Sequence, residues 1–272
     1  MTELVAALQA ESAAERWQAI EHLNRAEHQW LTDETLSLLI KALADQHPFV
    51  RWQAGLALVR HSEGAQKLTD LLNTSLATNS AQTKRGYSAA VDALGSSRLT
   101  DMCPSLLEML AADDALLRQS AAEALAHLKA PAAVPALIEA LNDVDPWVRR
   151  AAAYALGHIG DPQAIPALTA CLNDKQVIVR RSATYALGAL RAAPALPQLK
   201  ISLTDQDPIT RRNAVWAIGR LGLPETVPDL TRILNDPDAS QEIKATAGQA
   251  IETITKPGWL QTLLGIKGRL RR

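Results

Sequence analysis

The sequence predicts an all-α protein, an α-solenoid in which about eight pairs of helices stack along the chain. Three observations predict it: one pattern recurs every 31 residues, each copy contains two amphipathic helices, and the second helix is rich in alanine. Such a period is typical of repeat proteins whose helical pairs bury their apolar faces only by stacking. Weaker copies begin at Arg16 and Arg51, and the pattern decays after Ile243. The recurring residues are Arg118, Arg149, Arg180 and Arg211; Pro104, Pro135, Pro166, Pro197 and Pro228; and Leu110, Leu141, Leu172, Leu203 and Leu234.

The first helix of each 31-residue copy is predicted to carry a proline at an early position. Pro166, for example, suits an early helical position, because the backbone N–H that proline lacks would have no partner there in any case. Leu168 and Leu172, four residues apart, then form one apolar face. An Asn-Asp or Thr-Asp pair ends the copy, and a proline such as Pro146 or Pro208 begins the next helix.

The second helix of each copy is predicted to bury one stripe of its surface. In one copy the stripe comprises Val148, Ala152, Ala155, Leu156 and Ile159, which follow helical spacing. At about 100° per residue, Arg150, Tyr154 and Gly157 point away from this stripe. Gly157 and Gly160 suit the end of the helix, followed by a turn at Asp161 and Pro162. The recurring alanines allow neighbouring helices to approach closely.

The overall composition argues against a nucleic-acid partner, a secreted protein and a membrane-spanning protein. The net charge is −1 and the isoelectric point is about 6.6, so we expect no basic face for nucleic acid. Two cysteines, Cys103 and Cys171, predict no disulfide framework and fit a reducing cytosol. The first residues lack the pattern of a secretory signal, and no stretch approaches the ~18 apolar residues of a membrane span. We expect a cytoplasmic protein without a transmembrane segment.

The consensus of the copies is D-x-x-V-R-x-x-A-x-x-A-L-G-x-I-G-D-P-x-A-x-P-A-L. It resembles the HEAT-like repeat of cyanobacterial phycobilin lyase subunits. The match is near complete from Pro135 to Asp236 and looser from Arg16 to Leu128. The resemblance implies a right-handed solenoid of about eight HEAT-like pairs over residues 1–254. It also implies that the second helix of each pair lines a concave groove.

The resemblance implies a structural role for one row of charged residues. In HEAT-like repeats an aspartate and an arginine of adjacent units commonly form a ladder that satisfies the turns between the repeats. The residues that match this ladder are Asp143, Asp174 and Asp205 with Arg149, Arg180 and Arg211. We therefore leave them out of the candidate site.

A second row of residues, on the side of the second helices away from the stripe, forms the candidate binding site. Three consecutive copies carry an arginine and, four residues later, an aromatic residue: Arg150 with Tyr154, Arg181 with Tyr185, and Arg212 with Trp216. The same two positions of earlier copies contribute Trp17, Trp52, Asp92 and Glu123. Guanidinium groups bind carboxylates or phosphates, and exposed tryptophan, tyrosine and arginine are enriched at protein–protein interfaces.

The remaining chemistry-bearing residues are interpreted as structural. His127 and His158 lie in neighbouring repeats, too far apart to ligate one metal ion directly. Cys103 and Cys171 are two repeats apart, and lone cysteines in helices are usually small buried side chains. Residues 255–272 are predicted to form a basic amphipathic cap or tail, with weak contact to an anionic membrane or a partner as the alternative. We predict no metal site and no catalytic residue.

The interpretation that we favour is a non-catalytic scaffold or assembly factor that binds another protein in the concave Arg/aromatic groove. This interpretation needs no cofactor, and it leans towards a protein that is not an enzyme. The test is whether a protein partner binds through the candidate row.

The resemblance implies a different function, that of a phycobilin lyase subunit. Such a subunit binds an open-chain tetrapyrrole (a bilin) and a phycobiliprotein, commonly with a second HEAT-like subunit. The arginines of the row would then hold the propionates, the rings would stack on the pyrroles, and Asp92 or Glu123 would pair with the ring nitrogens. A weaker alternative is an adaptor in iron–sulfur cluster assembly, in which one cysteine would ligate a cluster held by a partner.

Overall fold

The computed structural model describes residues 2–25, 32–60, 64 and 103–255. Every regular element in these ranges is a helix, and no strand occurs within them. The prediction of an all-α fold is therefore confirmed. None of the described helices is long and apolar enough to cross a membrane.

The helices alternate between a shorter and a longer one along the chain. The first eight are α1 (Thr2–Leu8), α2 (Ala13–Arg25), α3 (Asp33–Ala42), α4 (Pro48–Val59), α5 (Cys103–Leu110), α6 (Ala115–Leu128), α7 (Val134–Ala140) and α8 (Pro146–Ile159). The next six are α9 (Ile165–Ala170), α10 (Val177–Ala189), α11 (Leu196–Ser202), α12 (Pro208–Leu221), α13 (Val227–Asn235) and α14 (Gln241–Thr255). The described ranges thus hold seven of the roughly eight predicted pairs.

The chain folds as two compact units, residues 1–155 and 156–272, and the boundary between them falls within α8. The predicted tail lies outside the described residues from position 256 onwards. Its assignment as a cap therefore stays a prediction.

The first helices begin as the sequence predicts. Pro166 is the second residue of α9, and the same position is held in the other matching helices by Pro104, Pro135, Pro197 and Pro228. A short 3-10 turn precedes α9, and the Asp161 carboxylate accepts the N–H of Gln163 at 2.9 Å to cap it. Leu168 is fully buried and Leu172 nearly so, which confirms the predicted apolar face.

The buried part of the second helices is wider than the predicted stripe. The fully buried residues of α8 are Val148, Ala151, Ala152, Ala153, Ala155 and Leu156. Ile159, which the stripe included, is only half-buried at the end of the helix. Alanine makes this possible because its small side chain lets neighbouring backbones pack closely on several sides of one helix.

Glycine–alanine contacts hold neighbouring second helices together, and they correct one prediction. Gly157 lies in the last turn of α8, as predicted, but the side of the helix on which it lies faces the next second helix rather than open solvent. A Cβ atom built at Gly157 would lie 2.8 Å from both Cα and Cβ of Ala186 in α10. Gly160, in contrast, has the predicted role, because it follows the helix with a φ of +84°.

The same contact recurs further along the second unit. A Cβ atom at Gly188 would lie 2.8 Å from Cα of Ala217, and one at Gly219 would lie 2.5 Å from Cβ of Ala250. These positions therefore require glycine so that the next second helix can approach.

The arginine–aspartate ladder is present and joins successive loops. Arg180 donates from Nε to Asp205 Oδ2 at 2.8 Å and from Nη2 to Asp205 Oδ1 at 3.0 Å. Its Nη1 also donates to the carbonyl oxygen of Asp174 at 2.9 Å, in the loop before its own helix. Arg118 with Asp143, and Arg16 with Asp45, repeat this geometry. Hydrogen bonds from Arg118 and Arg180 hold the pKa values of Asp143 and Asp205 below the usual value. At Asp45 burial acts to raise the pKa, but the hydrogen bonds from Arg16 and from the backbone N–H of His47 together lower it.

We predict that Gly188→Ala destabilises the protein by about 1–3 kcal/mol, because the new Cβ would overlap Ala217 and the ring of Trp216. The matched control is Gly248→Ala in α14, where a Cβ would meet only Leu234 Cδ1, at 3.9 Å. There the change should stabilise by up to about 1 kcal/mol, because alanine favours a helix over glycine. Urea unfolding followed by circular dichroism measures both. Equal effects of the two substitutions would contradict the close contact.

Candidate functional site

Each arginine of the candidate row forms an ion pair with an acidic side chain of a neighbouring repeat. Arg150 in α8 pairs with Glu123 in α6. In the second unit Arg181 pairs with Asp207, and Arg212 pairs with Glu242. These guanidinium groups are therefore already neutralised within the chain, which the sequence reading did not anticipate.

The Arg181–Asp207 pair is the most completely hydrogen-bonded of the three. Arg181 donates from Nε to Asp207 Oδ2 at 2.8 Å and from Nη2 to Asp207 Oδ1 at 2.6 Å. Asp207 Oδ2 also caps α12, because it accepts the backbone N–H of Thr210 at 2.7 Å and its hydroxyl at 2.8 Å. The Arg181 guanidinium, with these donors, holds the pKa of Asp207 well below its usual value.

Two of the three row aromatics stack on each other in the second unit. The rings of Tyr185 and Trp216 are parallel to within 6°, with centroids 5.0 Å apart. His158 extends the stack, with its ring centroid 6.4 Å from that of Tyr185. On Trp216, the guanidinium carbon of Arg220 lies 5.8 Å from the ring centroid. Tyr185 is exposed and Trp216 half-buried, so this stack has one open side.

In the first unit, Tyr154 is half-buried on α8. Arg150 lies over the ring of Trp147, with its guanidinium carbon 5.6 Å from the centroid. Glu123, besides pairing with Arg150, accepts a hydrogen bond from Gln119 Nε2 at 3.2 Å. Asp92 lies outside the described residues, so its place in the row stays a prediction.

The two tryptophans near the N-terminus meet through a residue that the sequence reading missed. Phe49 lies 5.7 Å from Trp17 and 5.5 Å from Trp52 between ring centroids. Phe49 and Trp52 are both exposed, while Trp17 is half-buried. Trp17 and Trp52 thus form one aromatic cluster of the first unit.

Phe49 belongs to a row of large apolar side chains near the start of the second helices. The row comprises Phe49, Leu116, Trp147, Ile178 and Ile209, of which Ile178 is half-buried and the others are exposed. The last four recur every 31 residues, so the sequence period could have revealed them. Each lies three residues before a candidate-row position and therefore on the same face of its helix.

A cavity of about 490 Å³ opens beside Trp216 in the second unit. Trp216, Gly219 and Ala250 are among its apolar lining residues, and Arg191 and Arg220 line it as well. The sequence reading singled out neither arginine, because both fall outside the 31-residue rows.

The cysteines occupy helical positions that shield them. Cys171 is buried, and Cys103 is half-buried, with its thiol pKa raised by burial. In the part of the chain that the structure describes, no three side chains of histidine, cysteine, aspartate or glutamate converge on a possible metal site. The iron–sulfur alternative gains no support from these positions.

We predict that Arg181→Gln lowers the free energy of unfolding by about 1–3 kcal/mol at neutral pH, because a charged hydrogen-bonded pair is lost. Since the pKa of Asp207 is lowered on folding, the pair stabilises the fold above about pH 4 and loses this effect as the pH falls further. The variant should therefore lose less stability than the wild type on acidification.

The control for this prediction is Arg212→Gln, whose partner Glu242 is largely exposed. It should change stability by no more than about 0.5–1 kcal/mol. Urea unfolding between about pH 5 and pH 2 measures both variants. The same pH dependence in the wild type and Arg181→Gln would show that this pair does not control acid stability.

Solved structures of helical repeat proteins are similar to the chain in fold. The Escherichia coli protein YibA shares 19% identity, with 92% of each chain covered and a TM-score of 0.58. A structure of Kap95p with RanGDP matches at 16% identity and a TM-score of 0.64, covering 97% of this chain and 42% of that one. The CpcE–CpcF complex of phycocyanin lyase from Nostoc sp. PCC7120 matches at 23% identity, with 85% of this chain and 92% of that chain covered, but at a TM-score of only 0.48.

Two sequence families match the chain. The PBS lyase HEAT-like repeat matches residues 179–205, which include Arg181 and Tyr185. No curated protein sequence matches the chain significantly. The HEAT repeat pattern matches residues 1–86, 103–188 and 196–266, most of the chain. With its stacked helical pairs, the chain therefore belongs to the HEAT repeat family.

Proposed function

We propose that the chain is a non-catalytic, cytoplasmic scaffold or assembly factor that binds a partner protein on the open face of its second helices. The observation that carries the proposal is the exposure of large rings on that face. Phe49, Trp52, Trp147 and Tyr185 are 43%, 48%, 51% and 40% exposed. They are four of the ten aromatic residues in the chain. Exposed aromatic side chains are the residues most enriched among the energetic hot spots of protein interfaces.

The ion pairs of the candidate row support a protein partner over a simple anion. An incoming carboxylate would have to displace Glu123, Asp207 or Glu242 from its arginine. Such an exchange gains little, because one charged pair replaces another of similar strength. The paired guanidinium groups instead offer flat, partly exposed surfaces beside the rings, on which a partner can pack.

The exposed rings suit the centre of an interface better than its rim. Burying an aromatic side chain removes a large apolar area from water, whereas exposed charges contribute little to affinity. We infer that Trp147 and Tyr185 supply the main contacts in their respective units. The neighbouring arginines then provide the polar surroundings.

We predict that Trp147→Ser combined with Tyr185→Ser lowers capture of the native partner by about tenfold or more, as expected for hot-spot residues. The partner is captured from lysate of the source organism on immobilised protein and identified by mass spectrometry. Both residues are exposed, so the thermal unfolding of the variant should change little.

The matched control replaces two exposed apolar residues of first helices, Ile201→Ser with Leu234→Ser. This variant should retain the partner at the wild-type level. Equal retention by all three proteins, or equal loss in both variants, would contradict binding on the second-helix face.

A second candidate function is that of a phycobilin lyase subunit. The observation that favours it is the PBS lyase HEAT-like repeat over residues 179–205, which contains Arg181 and Tyr185. In this proposal the chain binds a bilin and a phycobiliprotein, with Arg150, Arg181 and Arg212 at the propionates. The propionates would then have to displace Glu123, Asp207 and Glu242 from these arginines.

The captured material distinguishes the two candidates. A lyase subunit should retain a coloured eluate or phycobiliproteins, and the visible absorption should disappear in the Trp147→Ser/Tyr185→Ser variant. A colourless eluate that contains only other proteins would argue against the lyase and leave the scaffold.

A further inference from the structure

Two arginines stand apart from the others in the parts of the chain that the structure describes. Every other described arginine donates a hydrogen bond or forms an ion pair to a carboxylate or a backbone carbonyl. The side chains of Arg191 and Arg220 have no such partner among the described residues, and both residues are exposed. Their positive charges are therefore not neutralised by this part of the fold.

Both of these arginines line the same cavity. It measures about 490 Å³, within the usual range for ligand-binding pockets. The Trp216 ring, with Arg220 over it, lines the cavity together with Thr246, Gln249 and Ala250 of α14. A tryptophan ring and two arginine residues thus line one pocket.

The local backbone positions these two cations. Arg191 is the second residue beyond α10, which ends at Ala189, and has a φ of +50°, which turns the chain at that point. Arg220 lies in the last turn of α12. Helix C-termini favour cations, which explains how the fold tolerates both groups there. The helix C-termini do not neutralise the two arginines, because a helix end carries only a partial negative charge.

The charge of the pocket selects among possible occupants. The end of the chain, with Lys267, Arg269 and Arg271, is basic in sequence and would be repelled. An acidic group is complementary, and an apolar side chain beside it would bury the exposed part of Trp216. The open ring of Tyr185, stacked on Trp216, joins this pocket to the face proposed for partner binding.

We propose that this pocket receives an acidic segment of the partner protein, with a carboxylate at Arg191 and Arg220 and an apolar side chain against Trp216. The proposal rests on the scaffold function and names the chemistry of its partner. It also accounts for a pocket of ligand-binding size whose arginines, unlike Arg181 and Arg212 of the same unit, have no carboxylate partner among the described residues.

Three blocked tripeptides of the same shape test the charge preference. N-acetylated and amidated Glu-Phe-Glu, Gln-Phe-Gln and Lys-Phe-Lys are titrated into the full chain, and binding is followed by tryptophan fluorescence and NMR. The acidic peptide should bind about fivefold more tightly than the neutral one, and the basic peptide least. Raising the salt concentration should weaken only the acidic peptide towards the neutral level.

The variant Arg191→Gln/Arg220→Gln should bind the acidic and neutral peptides equally. Its matched control, Arg232→Gln, removes an exposed arginine of α13 outside the pocket and should keep the preference. Single substitutions at Arg191 and Arg220 replace the double variant if its thermal unfolding shows that it is not folded. Equal binding of the three peptides to the wild type, or an unchanged preference in the variants, would overturn the proposal.

The two proposals can fail separately. The peptide titration does not depend on Trp147, and the capture experiment does not change either pocket arginine. If the wild type shows no preference for the acidic peptide but still captures the partner through Trp147 and Tyr185, only the proposal of an acidic segment is wrong. If the Trp147→Ser/Tyr185→Ser variant captures the partner as well as the wild type while the peptide preference is retained, the acidic-peptide pocket stands without the proposed scaffold surface.

Discussion

The close approach of successive second helices is the constraint on which the rest of the second unit depends. At Gly157, Gly188 and Gly219 the backbone of one helix lies against an alanine of the next, with no space for a side chain. This spacing brings side chains at equivalent positions within reach of each other. The parallel stack of Tyr185 on Trp216 is one consequence. The ion pair between Arg181 and the cap of the following helix is another.

The distribution of charge pairs then decides what the face can recognise. The arginines of the candidate row form ion pairs with carboxylates of neighbouring repeats. The exposed aromatic rings are therefore the main groups of this face that are left for a partner to bury. The cavity beside Trp216 differs, because its cations have no carboxylate partner among the described residues. A partner with apolar side chains and one acidic group fits both observations.

The repeat made the fold predictable, because a 31-residue period fixes which positions are equivalent. The helix-starting prolines, the buried leucines and the Arg180–Asp205 ladder all follow from it. The acidic residues that pair with the arginines of the candidate row do not follow from the period, because they occupy different positions of the repeat. Arg150 pairs with an earlier residue, Glu123, whereas Arg181 pairs with a later one, Asp207. Gly157 was misplaced because a helical wheel shows the direction of a side chain but not the neighbour that it meets.

The central claim is that the partner binds on the second helices, and hydrogen–deuterium exchange of the chain with and without the captured partner tests it most directly. The account predicts slower exchange on binding in α8, α10 and α12, with little change in the first helices α9, α11 and α13. Binding protects the backbone there because it covers the exposed rings and suppresses local opening of the helices. Protection confined to the first helices, with the second helices unchanged, would contradict the account.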